Sequence, residues 1–246
     1  MDPSSIYFKQ ITCPYCGTVI SALRIKSRNY RIIKRDYDFG ATYENNISPY
    51  IYEIVVCHGC GFAWNIDNEE LLMPAHRQRL KPFLQRQKED YNSEPRTVEL
   101  GIFTYKLAIA QDVIRMVKSS ALGKKYLHLA WIYRGLGNRE EELRYLKAAR
   151  DDYRESVSTE DLWHEQNGSE ILATYMTAVL SHYIGDADTC RRWLSRVIFN
   201  HPEADQRPQV VKMARDLWSD IRDVDWRSSL GEIENLAKEQ EEETKE

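Results

Sequence analysis

Several features are scarce in this chain, and each scarcity narrows what it can be. No apolar run approaches the roughly 18 residues that span a bilayer, and mean hydropathy is -0.59, so a membrane-inserted protein is not expected. Met1 to Ser5 carries no basic stretch followed by an apolar one, so no secretory signal is expected. Five cysteines, an odd number, do not suggest a disulfide framework in a chain without an export signal. The string patterns of nucleotide-binding and hydrolytic sites are missing: no phosphate loop, no GxGxxG, no HExxH, no nucleophile elbow. The histidines His76, His128, His182 and His201 are scattered, and Trp163-His164-Glu165 is a lone pair, so no catalytic constellation can be nominated. The expectation is a cytoplasmic protein that is not an enzyme.

The chain has 246 residues, 42% of them hydrophobic, which is enough for one large domain or two ordinary ones. Net charge is -4, unevenly placed. Residues 232–246 hold seven glutamates against Lys238 and Lys245, which leaves the rest near +1. From Arg24 to Arg35, six of twelve residues are basic and none is acidic. The pattern predicts an α+β chain. Residues 1–68 form a small β-rich domain, with Tyr50 to Val56 a strand dense in aromatic and β-branched residues. Residues 69–96, punctuated by Pro74, Pro82 and Pro95, read as a polar, basic, partly helical connector. Residues 97–228 carry apolar residues at helical spacing and predict five or six amphipathic helices. Residues 229–246 read as an acidic tail.

The most specific signal is Cys13-Pro14-Tyr15-Cys16-Gly17 and Cys57-His58-Gly59-Cys60-Gly61. Two CxxC pairs supply four thiolates for a tetrahedral Zn2+, and four cysteines leave no open position for catalysis. The glycine after each pair lets the backbone turn so that amide N–H groups point at the sulfurs. Both pairs lie among strands, whereas thioredoxin-like redox chemistry needs one CxxC opening a helix. A closed structural zinc bound by Cys13, Cys16, Cys57 and Cys60 is therefore expected, with Cys190 a buried core residue.

The stretch from Cys13 to Trp64 resembles a family of bacterial proteins that carry the domain of unknown function 2225. The matching residues are the CPxCG knuckle, the spaced Arg24, Arg28 and Arg31, the run Arg35-Asp36-Tyr37-Asp38-Phe39, then Tyr43, Asn46, Ser48-Pro49-Tyr50 and the knuckle from Cys57 to Ala63. The helical part is similar to tetratricopeptide repeats around Gly137 (Leu129, Ala130, Tyr133, Leu146, Ala149) and around Gly185 (Ala178, Cys190, Leu194, Val197, Pro202). The two glycines are 48 residues apart, not the 34 or so of a regular array, so the expectation is two degenerate repeats, with a plain irregular α-bundle as the alternative.

Two readings of function follow. In the first, the helices form a curved layer whose inner face, presenting Lys124, Trp131, Arg134, Tyr175 and His182, grips a protein partner, and the chain is an adaptor. In the second, the arginine-rich loop (Arg24, Arg28, Arg31, Arg35, with Asp36 and Asp38 in the same candidate site), with Tyr30, Tyr37 and Tyr43 for stacking, binds nucleic acid or a nucleotide. Against the second stands the option that Asp36 and Asp38 pair with arginines simply to fix the long loop between the cysteine pairs.

Overall fold

The computed structural model describes residues 6–26, 31–44, 48–67, 72–84, 90–92, 95–162, 169–199 and 201–222. Arg28 and the acidic tail lie outside the described residues. Three antiparallel hairpins occupy the N-terminal part. Strands β1 (Ile6–Thr12) and β2 (Val19–Ile25) pair from Ile6↔Ile25 to Thr12↔Val19. Strands β3 (Ile32–Arg35) and β4 (Ala41–Tyr43) form a second hairpin, and β5 (Ile54–Val56) and β6 (Ala63–Asn65) a third, preceded by a 3-10 turn at Pro49–Tyr52. The first and third hairpins each carry one CxxC pair in the turn. Strand β5 is apolar on both faces because both are covered: Ile54 and Val56 join the core shared with the helices, while Val55 faces a cluster around the cysteines.

The helices are α1 (Pro74–Leu80), α2 (Val98–Arg115), α3 (Ser119–Gly135), α4 (Arg139–Thr159), α5 (Glu170–Tyr183), α6 (Ala187–Phe199) and α7 (208–222). None of the described helices is long and apolar enough to cross a membrane. The two turns singled out in the sequence are the same device used twice. Asn138 N–H bonds back to Tyr133 C=O and Gly137 N–H to Arg134 C=O; Asp186 N–H bonds to Ser181 C=O and Gly185 N–H to His182 C=O. Both are left-handed C-terminal caps. Each is followed by a side-chain N-cap, Asn138 accepting from Glu141 N–H and Asp186 from Thr189 N–H. The Glu141 side chain does not complete a capping box; it turns to Arg144.

The β region and the helices share one core. Leu23, Ile25, Ile51, Tyr52, Ile54, Val56 and Ala63 belong to the same buried cluster as Tyr105, Leu129, Leu146 and Leu180. Buried amide side chains close the strand edges. Gln111 on α2 accepts from Ala63 N–H and donates to Gly61 C=O, both at 2.8 Å. Asn92 does the same for Val56, at 3.2 and 2.7 Å. Arg96 donates to the carbonyls of Ile51, Ile54 and Tyr91. The segment read as a connector thus places two of its residues, Asn92 and Arg96, inside the molecule, because the edge carbonyls of a three-residue strand need donors.

One helix contact carries a pH signature. Asp152 on α4 is half-buried against α3, and its Oδ2 has no hydrogen-bond partner among the described residues. Burial first, then repulsion from Asp151, Glu160 and Glu155, push its carboxyl up to about 6. A carboxylate raised on folding destabilises the native state above that value, and the penalty is relieved as pH falls through 6 toward the ordinary range. Asp152→Asn should therefore raise stability by about 1 kcal/mol near pH 8, a figure discounted for partial solvent screening. The gain should shrink below pH 6 and vanish near pH 4, as read by thermal melts across that range.

Candidate metal centre and the occupied inner face

The four cysteines come together. Cys13 Sγ lies 3.7 Å from Cys60 Sγ and Cys16 Sγ 3.6 Å from Cys57 Sγ, with all four sulfurs within 4.8 Å of one another. No disulfide is present, and Cys190 is buried elsewhere in the core. Sulfurs about 2.3 Å from a tetrahedral ion stand about 3.8 Å apart, so the spacing fits a four-coordinate metal. The knuckles are built alike. Gly17 and Gly61 have φ of 79° and 78°, a region costly for a residue with a Cβ, and their N–H groups bond to the carbonyls of Cys13 and Cys57.

Electrostatics reinforce the fit. Hydrogen bonding from the Cys60 thiol, helped by the backbone N–H groups of Cys16 and Tyr15, lowers Cys13 to about 5 against the opposing effect of burial. Burial raises Cys57 to about 11, and Cys60 rises because its proton is shared with Cys13. One thiolate forms readily, and its charge holds these neighbours protonated. A cation bound among the sulfurs would favour their thiolate forms. Helix α1 braces the site: Arg77 donates to the carbonyls of Tyr15 and Pro14 at 2.5 and 2.6 Å and lies over the Tyr15 ring. His58 sits in the second knuckle but outside the donor set.

The inner face of the helices is not open. The β3–β4 hairpin pushes its tip, Asp36 to Gly40, between α3 and α5. Asp38 is completely buried. Its Oδ2 accepts from Trp131 Nε1 at 2.9 Å and Arg134 Nη2 at 2.7 Å; its Oδ1 accepts from Arg134 Nη1 at 3.2 Å and Gly40 N–H at 3.0 Å. Arg134 also pairs with Asp36 at 3.1 Å and Glu142 at 2.7 Å. Burial works against its charge, but Asp38 and Glu142 overcome that and raise its hold on the proton. Phe39, at φ 67°, bends the tip so that its ring meets Tyr175 at 5.8 Å. Tyr175 OH donates to Tyr37 C=O at 2.9 Å, and Tyr37 OH to Asp220 at 2.5 Å. A side chain at Gly40 would strike Trp131 and Arg134.

Several expectations are corrected here. Tyr175 is fully buried and presents nothing to a partner. Trp131 is half-buried, bonded to Asp38, stacked on His128 at 4.7 Å and tilted against Tyr50 at 4.9 Å. Arg134 is engaged by three carboxylates. Of the five groove residues, Lys124 and His182 are exposed. The physical reason is that the aromatic and cationic side chains on α3 and α5 bind this chain's own Asp-Tyr-Asp-Phe segment. Asp36 and Asp38 do fix the loop, but their arginine comes from α3; Asp36 pairs in addition with Lys34. Arg24 is also tied down, donating to Tyr52 C=O at 3.2 Å and Asp67 at 2.7 Å. Arg31 and Arg35 are exposed on the hairpin.

A buried network beside the tip was not foreseen. Glu53 Oε2 accepts from Tyr105 OH and faces His128 Nδ1, both at 2.8 Å. Burial pushes the Glu53 carboxyl up, but His128, Tyr105 and Lys124 outweigh it and hold the carboxyl below its ordinary range. Glu53 caps the C-terminal end of the 3-10 turn and His128 lies on α3, so the pair ties the two halves together. Sequence spacing gave no sign of a contact 75 residues apart.

The geometry defines a class: an α+β chain in which a four-cysteine centre capable of holding a metal is fused through one core to a layer of helical hairpins. The chain belongs to the bacterially conserved family of uncharacterised proteins with domain of unknown function 2225, matched over residues 6–221. No curated protein and no solved structure gives a significant match to it.

Proposed function

We propose that the chain is a non-enzymatic adaptor: a structural zinc in the four-cysteine centre braces the β region, and the tetratricopeptide-like helices offer a docking cleft to a protein partner. The observation that carries this reading is the cleft left beside the hairpin tip. It measures about 800 Å³, has an aromatic and thioether floor of Tyr37, Phe39, Tyr183 and Met213, and a rim on which Lys34, Arg35, Arg134 and Arg139 outnumber the carboxylates of Asp36 and Glu142. An apolar floor under a cationic rim suits an extended segment carrying acidic and large apolar side chains. Zinc is the favoured metal because four thiolates in a tetrahedron are its usual closed structural set. With all four positions taken by sulfur, the metal contributes rigidity and no Lewis-acid chemistry.

The test places a photo-reactive residue at Met213, captures cross-linked protein from native lysate, and compares the parent chain with Lys34→Glu/Arg35→Glu. A discrete protein cross-linked through position 213 and lost with the charge reversal supports the adaptor. Capture indifferent to both changes contradicts it. Arg31 and Arg35, exposed and without a carboxylate partner among the described residues, favour nucleic acid or a nucleotide as the second reading. Nuclease-sensitive capture would move the function there.

A further inference from the structure

A separate recess of about 280 Å³ lies between α4 and α6, and it shares no residue with the cleft beside the hairpin. It is lined by Arg154, Thr189, Arg192, Trp193 and Arg196, so three of five lining residues are guanidinium groups and none is a carboxylate. The sequence puts Thr189, Arg192 and Arg196 at three- and four-residue steps, which stacks them on one face of α6. Arg192 Nη2 donates to Thr189 Oγ1 at 3.3 Å, and the Arg196 guanidinium lies 4.5 Å from the centre of the Trp193 ring. Neither makes a direct ion pair among the described residues, although Thr189, helped by nearby Arg192, holds the Asp186 carboxyl below its ordinary range. Among the described residues the Arg154 guanidinium, reaching in from α4, pairs with Asp151 at 3.4 Å, and Asp151 is already shared with Arg150 at 2.7 Å.

Like charges four residues apart destabilise a helix unless something compensates them. Here three converge on a pocket that is lined by no acid. An anion entering it relieves that repulsion and meets donors from two helices. Thr189 accepts from Arg192 and spends its own O–H on Asp186, so the arginines are the donors left for a ligand. Converging guanidinium groups match a tetrahedral dianion better than a planar carboxylate with one charge. The buried Trp193 ring supplies an apolar wall. The volume is at or just below the lower limit of small-ligand sites, which leaves room for a phosphoryl group and a few carbons but not for a strand of nucleic acid.

We propose that this recess binds a small phosphate monoester, with Arg154, Arg192 and Arg196 around the phosphoryl group and the carbon part against Trp193. The site stands apart from the adaptor reading, and its failure would leave that reading untouched. The test is calorimetric titration of the full chain with glycerol 3-phosphate at fixed ionic strength, with inorganic phosphate, acetate and a short single-stranded oligonucleotide as comparisons. Saturable one-to-one binding is expected at about millimolar Kd or tighter. Arg192→Gln, and separately Arg192→Gln/Arg196→Gln, should weaken it about tenfold or more with the melting profile kept. Lys34→Gln/Arg35→Gln should leave it unchanged. Absence of saturation, equal affinity for acetate or inorganic phosphate, tighter binding of the oligonucleotide, or equal weakening by the hairpin variant would overturn the proposal.

Discussion

Cys57→Ser should give a chain that neither holds a metal nor folds. Cys57 is fully buried, and its sulfur is one of four donors whose spacing matches a tetrahedral ion. Metal affinity at such sites is worth about 10–16 kcal/mol, and that binding energy is also folding energy. Whole domains are stable by only about 5–15 kcal/mol. The loss should not stop at the β region. Ile51, Tyr52, Ile54, Val56 and Ala63 lie in the same core as the helices, and Gln111 of α2 satisfies the backbone of the second knuckle. The expected result is loss of the cooperative melt throughout, with helical signal reduced as well. Cys190→Ser is the matched comparison: a buried cysteine outside the centre, whose replacement should cost about 1–3 kcal/mol and keep the metal. A Cys57→Ser chain that melts like the parent sinks the structural-metal account. Loss confined to the β region sinks the shared core.

The second large effect belongs to Arg134 and Asp38. Arg134→Met leaves the fully buried Asp38 with Trp131 and Gly40 as its remaining donors and no counter-charge. Breaking a buried pair from one side costs about 3–5 kcal/mol. Asp38→Leu should cost less, because Arg134 keeps Asp36 and Glu142. The double variant should be less damaging than the sum of the two, since neither charge is then stranded. Denaturant titration of the four chains reads the coupling directly. Additive losses would show that the hairpin tip is not held by this pair. Charge reversal at Arg134 is therefore a poor probe of partner binding: it strikes the fold first.

Much of the centre was legible in the sequence because it is local. CxxCG forces a turn, two such turns bring four sulfurs to one place, and the glycine signal follows from backbone sterics alone. The helix turns at Gly137 and Gly185 were legible for the same reason. What was not legible is long-range pairing. Trp131, Arg134 and Tyr175 look like an exposed binding stripe because their chemistry is that of a binding stripe, and only the fold reveals that Asp36 to Phe39 of the same chain already fills it. The connector misled in a related way. Arg96 and Asn92 are polar in composition, but their hydrogen-bonding capacity is spent on the edges of β2 and β5. Burial of polar groups is set by partners that no local pattern names. Arg154, Arg192 and Arg196 were equally invisible, since α4 and α6 are separate helices.

The most direct test of the central claim is native mass spectrometry of the purified full chain before and after a strong chelator. The account predicts one zinc per chain in the compact charge states, and a shift to extended charge states when the metal is removed. A compact chain without metal, or one that stays compact after chelation, would contradict it.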